Sequence, residues 1–146
     1  MSNTHVGRDE KGRGSLHLAT VERKPHVLVV EDDPDTLAAV ATTLRDEDAF
    51  AVSVARNGEQ ALEVADELGF GADVVILDLD LGSGMRGPQF ATEYRRRANR
   101  SARIVVLSGL RDAYEIARGM RAAAFFPKPY DADELVRTVR ILAPHA

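Results

Sequence analysis

From residue 26 onward the chain repeats one pattern five times: a short, largely apolar run, then a stretch with apolar residues at helical spacing. The runs are Val27–Val30, Phe50–Val54, Val74–Leu77, Ile104–Leu107 and Ala124–Phe126. A strand with one wet face alternates apolar and polar residues. These runs do not, so each reads as a strand covered on both faces, which is the mark of a parallel sheet. The helical stripes are Leu37, Val40 and Leu44; Ala61, Val64, Ala65 and Leu68; Phe90 and Tyr94; Ala113, Ile116, Ala117 and Met120; and Leu135, Val139 and Leu142. Start signals precede several of them. Asp33 with Pro34, Asn57 with Gln60, and Asp131 with Glu134 match helix N-caps, and the third helix starts near Pro88. Strict alternation of strand and helix predicts an α/β fold, an open doubly wound parallel sheet with helices on both faces.

One domain of this kind accounts for residues 25–146 of the 146-residue chain. Residues 1–24 carry Gly7, Gly12 and Gly14 without sustained periodicity and are expected to form a flexible N-terminal arm, with Leu16-His17-Leu18 as a short docking strand. The net charge of −4 is too mild to point to nucleic acid or a membrane surface, so neither is expected as a partner. No apolar run approaches the roughly 18 residues of a membrane span. The N-terminus has no apolar core of a secretory signal. The absence of cysteine fits a cytoplasmic location and removes thiolate chemistry.

Function shows at the strand ends. Glu31 and Asp32 follow the first run, Asp78 the third and Ser108 the fourth, and Lys128 comes just after the fifth. Open α/β sheets bind ligands beyond the carboxyl ends of their strands, where strand order reverses. With strand order 2-1-3-4-5, the four contributing strands are consecutive neighbours. Adjacent strands lie about 4.8 Å apart, so the first and fourth flank Asp78 directly, and the fifth is roughly 10 Å away. Only a long side chain such as Lys128 reaches back from there. Two carboxylates 4 Å apart repel by about 4 kcal/mol at an effective dielectric near 20, so the acids call for a cation. Oxygen ligands without His or Cys favour a hard ion, Mg²⁺ above all. A carboxylate beside a metal, an ammonium and a hydroxyl is placed to attack a phosphoryl donor.

Val29-Val30-Glu31-Asp32, Ile76-Leu77-Asp78, Leu107-Ser108-Gly109 and Pro127-Lys128-Pro129-Tyr130 together resemble the receiver domain of two-component response regulators, across about His26 to Leu142. The resemblance implies a flavodoxin-like (βα)5 fold and a stand-alone receiver. Asp78 would accept the phosphoryl group from a sensor histidine kinase or a histidine phosphotransfer protein. Glu31, Asp32, Asp78 and the backbone carbonyl of Asp80 would hold Mg²⁺. Ser108 would hydrogen-bond the phosphoryl group and Lys128 would pair with it. Phe125 occupies the aromatic switch position, whose movement with Ser108 would remodel the surface of helix 4, strand 5 and helix 5 toward a downstream protein target or a relay. Chemistry would be confined to self-phosphorylation from phosphodonors and self-dephosphorylation, so no classical enzyme is expected.

The loop after Asp78 departs from the family pattern. It reads Gly82-Ser83-Gly84-Met85-Arg86-Gly87, one residue longer than usual and without the usual Pro. Phe125 also reads as plain core, Ser108 as a turn residue, Asp80 as a loop carboxylate, and Arg95-Arg96-Arg97 with Arg100 as a solvated helix end. Two other functions fit parts of the pattern. Asp78-Leu79-Asp80 also resembles the first motif of haloacid-dehalogenase-type phosphohydrolases, although no acidic pair follows Lys128 on a later strand. A pseudo-receiver binding module would keep the fold without carrying phosphate, but usually lacks an acid or the lysine.

Overall fold

A computed structural model describes residues 24–99 and 101–144; all but the last residue of the expected arm, including Leu16-His17-Leu18, lies outside the described residues. Among the described residues, strands and helices alternate throughout: β1 (His26–Val30), α1 (Pro34–Asp46), β2 (Ala51–Ala55), α2 (Gly58–Glu67), β3 (Val74–Asp78), α3 (Gly87–Arg97), β4 (Arg103–Ser108), α4 (Ala113–Gly119), β5 (Ala124–Pro127) and α5 (Ala132–Leu142). The strands form one parallel sheet in the order β2-β1-β3-β4-β5. This is the flavodoxin-like order 2-1-3-4-5 expected from the sequence. Strand order reverses beside β1, which opens a crevice at the carboxyl ends of β1 and β3.

The unbroken apolar runs are explained by two cores. Leu28, Val30, Val75, Leu77, Ile104 and Val106 point to one face, where Ala61, Ala65, Phe90, Tyr94 and Ala117 of α2, α3 and α4 cover them. Val27, Val29, Val74, Ile76, Val105 and Leu107 point to the other, against Leu37, Val40 and Leu44 of α1 and Leu135 and Val139 of α5. Every residue of β3 is buried. Each such Val, Leu or Ile contributes roughly 1.5–3 kcal/mol on burial, so the strand under the crevice is firmly held in the core.

Helix starts fix the loops around that crevice. Asp33 Oδ2 accepts the Thr36 N–H at 2.9 Å, with Pro34 as the first helical residue. Asn57 Oδ1 accepts the Gln60 N–H at 2.7 Å, but the Gln60 side chain accepts from Arg56 N–H at 2.6 Å rather than from the cap itself. Asp131 Oδ1 accepts from Asp133 and Glu134 N–H.

Several boundaries differ from the sequence reading. β2 begins at Ala51, and Phe50 precedes it as a buried residue under α1. α4 ends at Gly119, with Met120 as its buried C-cap. Arg95 is not a solvated dipole partner of its own helix. Its guanidinium donates to the carbonyls of Met120 and Arg121 beyond α4, while Arg96 and Arg97 pair with Glu93 one turn back.

Candidate functional site

The register of the sheet brings the polar residues together. Asp78 is the last residue of β3 and sits beside Leu107 of β4, so Ser108 lies one position further on. Glu31 directly follows β1, and its N–H continues the ladder by donating to Ala55 O. Glu31, Asp78 and Ser108 are each only 1% exposed, whereas Asp32 is half-buried and Asp80 exposed. Lys128 follows β5 and spans the width of β4. Its ammonium donates to Asp78 Oδ2 at 3.0 Å and to Glu31 Oε1 at 3.1 Å. The remaining carboxylate oxygens are held by backbone. Asp80 N–H donates to Asp78 Oδ1 at 3.0 Å, and Asp33 N–H donates to Glu31 Oε2 at 3.1 Å.

Oxygens of Glu31, Asp32 and Asp78 all lie within 4.8 Å of one another. At that separation each pair repels by about 3.5 kcal/mol at an effective dielectric near 20. One ammonium faces three carboxylates, so the cluster remains negative. Burial pushes the Glu31 carboxyl up to about 7, helped by the hydrogen bond and charge of Asp78 and opposed by Asp33 N–H and Lys128. For Lys128, burial pulls the ammonium down, but its bonds to Asp78 and Glu31 outweigh this and raise it. Burial, then the charge of Glu31, raises the Tyr130 phenol. A buried, under-neutralised, all-oxygen cluster matches the needs of a hard divalent ion. The Asp80 carboxylate is not part of the cluster.

The long loop after β3 is anchored at several points. Leu79 and Leu81 are buried. Met85 lies on Gly58 so closely that a Cβ at Gly58 would meet its side chain at 2.9 Å. Met85 N–H donates to Glu59 Oε2 at 3.0 Å. Gly82 has φ +70°, and a Cβ there would lie 3.0 Å from Asp32 Oδ2. The glycine therefore lets the loop close over that acid. Gly58 and Glu59 were not singled out in the sequence; a glycine opening a helix opposite a lengthened loop was their only signal. The end of β2 also contributes where the sequence offered nothing obvious. Arg56, Asn57 and Gln60 line a cavity of about 480 Å³ with Asp32, Leu81 and Gly82.

Ser108 Oγ accepts the Leu110 N–H at 3.0 Å, and Leu110 is 40% exposed beside it. Phe125 of β5 is half-buried against the core under α2, α3 and α4. Its ring meets that of Tyr114 on α4 edge-on, with centroids 6.1 Å apart. Tyr114 itself is 57% exposed.

Comparison with known proteins bears on the family and the fold. A family model described as response regulator receiver domain matches residues 27–140. The chain is 34% identical over 119 residues to the DNA-binding response regulator MtrA of Mycolicibacterium smegmatis, covering 80% of this chain and 50% of MtrA. It is 32% identical over 118 residues to the sensor kinase CckA of Brucella abortus, covering 78% of this chain and 12% of CckA. The chain thus spans half or less of these curated relatives. A Francisella response regulator receiver domain superposes with a TM-score of 0.69 at 26% identity, covering 82% of this chain and 96% of that one. Among the described residues no helix is long and apolar enough to cross a membrane.

Proposed function

The chain belongs to the response regulator receiver domain family of two-component systems, and from that premise we propose that it accepts a phosphoryl group on Asp78 in a Mg²⁺-dependent reaction. Receiver domains are phosphoryl-accepting signalling modules rather than classical enzymes. The single observation that carries the proposal is the Lys128 ammonium bridging Asp78 Oδ2 and Glu31 Oε1, at 3.0 and 3.1 Å, inside a cluster of three acids. A structural ion pair needs one carboxylate. Lys128 bridges two of three clustered acids, and the negative charge that remains favours a bound cation.

In this reading Glu31, Asp32, Asp78 and the backbone carbonyl of Asp80 hold Mg²⁺, which when bound offsets charge on the phosphoryl oxygens. A carboxylate oxygen of Asp78 attacks phosphorus. The Asp78 O–P bond forms as the bond from phosphorus to the donor's histidine nitrogen breaks, and that nitrogen keeps the electron pair. Lys128 and the Asp80 N–H hold the Asp78 carboxylate in line, and alignment with charge neutralisation is most of what phosphoryl transfer requires. Ser108 then turns its hydroxyl from the Leu110 N–H toward the new phosphoryl oxygens. The space it leaves admits Phe125, whose ring withdraws from Tyr114 and alters the surface of α4, β5 and α5. The phosphoryl group works by favouring one of two shapes, and a partner reads the change only through its different affinity for each.

The donor is a sensor histidine kinase or a histidine phosphotransfer protein in the cytoplasm, and the target is a protein that reads the α4–β5–α5 surface. MtrA is a DNA-binding regulator, but DNA binding is not part of this proposal, since the chain spans half of MtrA. Incubation with acetyl phosphate or phosphoramidate and Mg²⁺, followed by intact mass measurement, tests the reading. One phosphoryl adduct per chain, dependent on Mg²⁺ and absent from Asp78→Ala, is expected. Repeated turnover of a generic phosphomonoester would instead mark a hydrolase, and no adduct under any condition would mark a binding module.

A further inference from the structure

Charge is distributed unevenly along the chain. Residues 95–121 carry eight arginines and two acids, Asp112 and Glu115, in a chain whose net charge is −4. Three of these arginines, Arg95, Arg103 and Arg121, converge on a cavity of about 820 Å³ between the end of α3, the start of β4 and the end of α4. Among the described residues no acidic side chain lines it, and its apolar members include Ala91, Ile116 and Met120. Arg103 opens β4 and Ser108 closes it, so the cavity and the acidic cluster lie at opposite ends of that strand, about 17 Å apart by strand rise.

The three guanidiniums are not there to neutralise the protein. Arg95 is fixed by donating to the carbonyls of Met120 and Arg121. Its guanidinium is held below its ordinary range by burial and then by the charge of Arg121, so like charges face one another here. Arg103 and Arg121 have no ion-pair partner among the described residues. A second observation is independent of charge. Arg121 has φ +59°, in the left-handed region that favours glycine. The position closes α4 through Arg121 N–H to Arg118 O and Ala122 N–H to Ala117 O. Glycine would make that turn without strain. Residues held in strained conformations cluster at ligand sites, and this one carries a guanidinium to the cavity.

We propose that the α3–β4–α4 cavity binds a nucleoside polyphosphate, with its phosphates on Arg103 and Arg121, backed by Arg95, and its organic half over Ile116 and Met120. Arginine suits the anion, because its planar fork pairs with phosphate oxygens in two hydrogen bonds and never loses its charge. The apolar floor suits an organic half that inorganic phosphate lacks. The volume of about 820 Å³ lies within the range of about 300–1,000 Å³ typical of small-molecule sites.

The test is calorimetric titration of the whole chain in EDTA, which keeps the acidic cluster free of divalent ions. The probes are ATP, GTP, adenosine, inorganic tripolyphosphate and an oligoglutamate peptide. Saturable one-to-one binding of at least one nucleotide is expected, at least tenfold tighter than tripolyphosphate, with adenosine and the peptide weaker still. Arg103→Ala and Arg121→Gly should each weaken it at least tenfold. Arg121→Gly is the cleaner variant, because glycine fits the backbone and the melting temperature should hold or rise while binding falls. Absence of saturable binding by either nucleotide would overturn the proposal. So would unchanged affinity in both variants, or tripolyphosphate or peptide binding as tight as the nucleotide.

Discussion

Replacing Asp32 with asparagine should stabilise the metal-free protein. Asp32 contributes an oxygen within 4.8 Å of oxygens on Glu31 and Asp78, and Lys128 bridges the other two acids without reaching it. Each repulsion is about 3.5 kcal/mol at an effective dielectric near 20 and falls to about 2 kcal/mol with physiological salt screening. Asp32 is half-buried, so its carboxylate also recovers some hydration. A net gain of about 1–3 kcal/mol follows on removing the charge, enough to raise the melting temperature by several degrees in a domain of this size. Mg²⁺ reverses the order. An ion that binds the folded wild type at one hundred times its dissociation constant adds about 2.7 kcal/mol, and a variant lacking one ligand gains less. Guanidinium denaturation in EDTA and in saturating Mg²⁺ measures both differences. Asp32→Asn equal to or less stable than wild type in EDTA would refute the electrostatic reasoning, as would equal Mg²⁺ stabilisation of both proteins.

Three further outcomes follow from the same geometry. Glu31 is pushed up to about 7, above its ordinary 4.5, so its contribution to metal-free stability is full below pH 4.5 and is lost as pH rises through about 7; the wild-type minus Glu31→Gln difference in unfolding free energy should fall across that window. Gly82→Ala places a Cβ 3.0 Å from Asp32 Oδ2 at φ +70°; it should destabilise the fold by roughly 1 kcal/mol and weaken Mg²⁺ binding in a fluorescence or calorimetric titration. Asp80→Asn and Leu110→Glu, which alter the groups flanking the site, should each change the decay rate of the phosphorylated protein several-fold, and unchanged rates would remove both residues from control of phosphoryl lifetime.

The fold was legible because a parallel sheet buries both faces. Val27–Val30 and Val74–Leu77 showed it as unbroken apolar runs, and the polar residue ending each run marked the crevice. Lys128 was legible because its length suits a reach across one strand. Less legible were contacts that depend on how loops close. Nothing local in Gly58 or Glu59 announces that Met85 rests on one and hydrogen-bonds the other, or that the Gln60 side chain accepts from Arg56 N–H rather than from the cap residue. Arg95 looked like a dipole partner for its own helix, but the turn after α4 lies close enough for the Met120 and Arg121 carbonyls to take the guanidinium instead. Phe50 looked like strand because it is apolar, yet it turns under α1 before β2 begins.

The central claim is that Asp78, among three clustered acids, carries the phosphoryl group. Borohydride reduction of acetyl-phosphate-treated protein traps an aspartyl phosphate as a stable alcohol, and peptide mass mapping locates it. The account predicts reduction at Asp78 alone, dependent on Mg²⁺ and strongly diminished in Lys128→Met. Reduction at Asp32 or Asp80, or none at all with Mg²⁺ present, would contradict it.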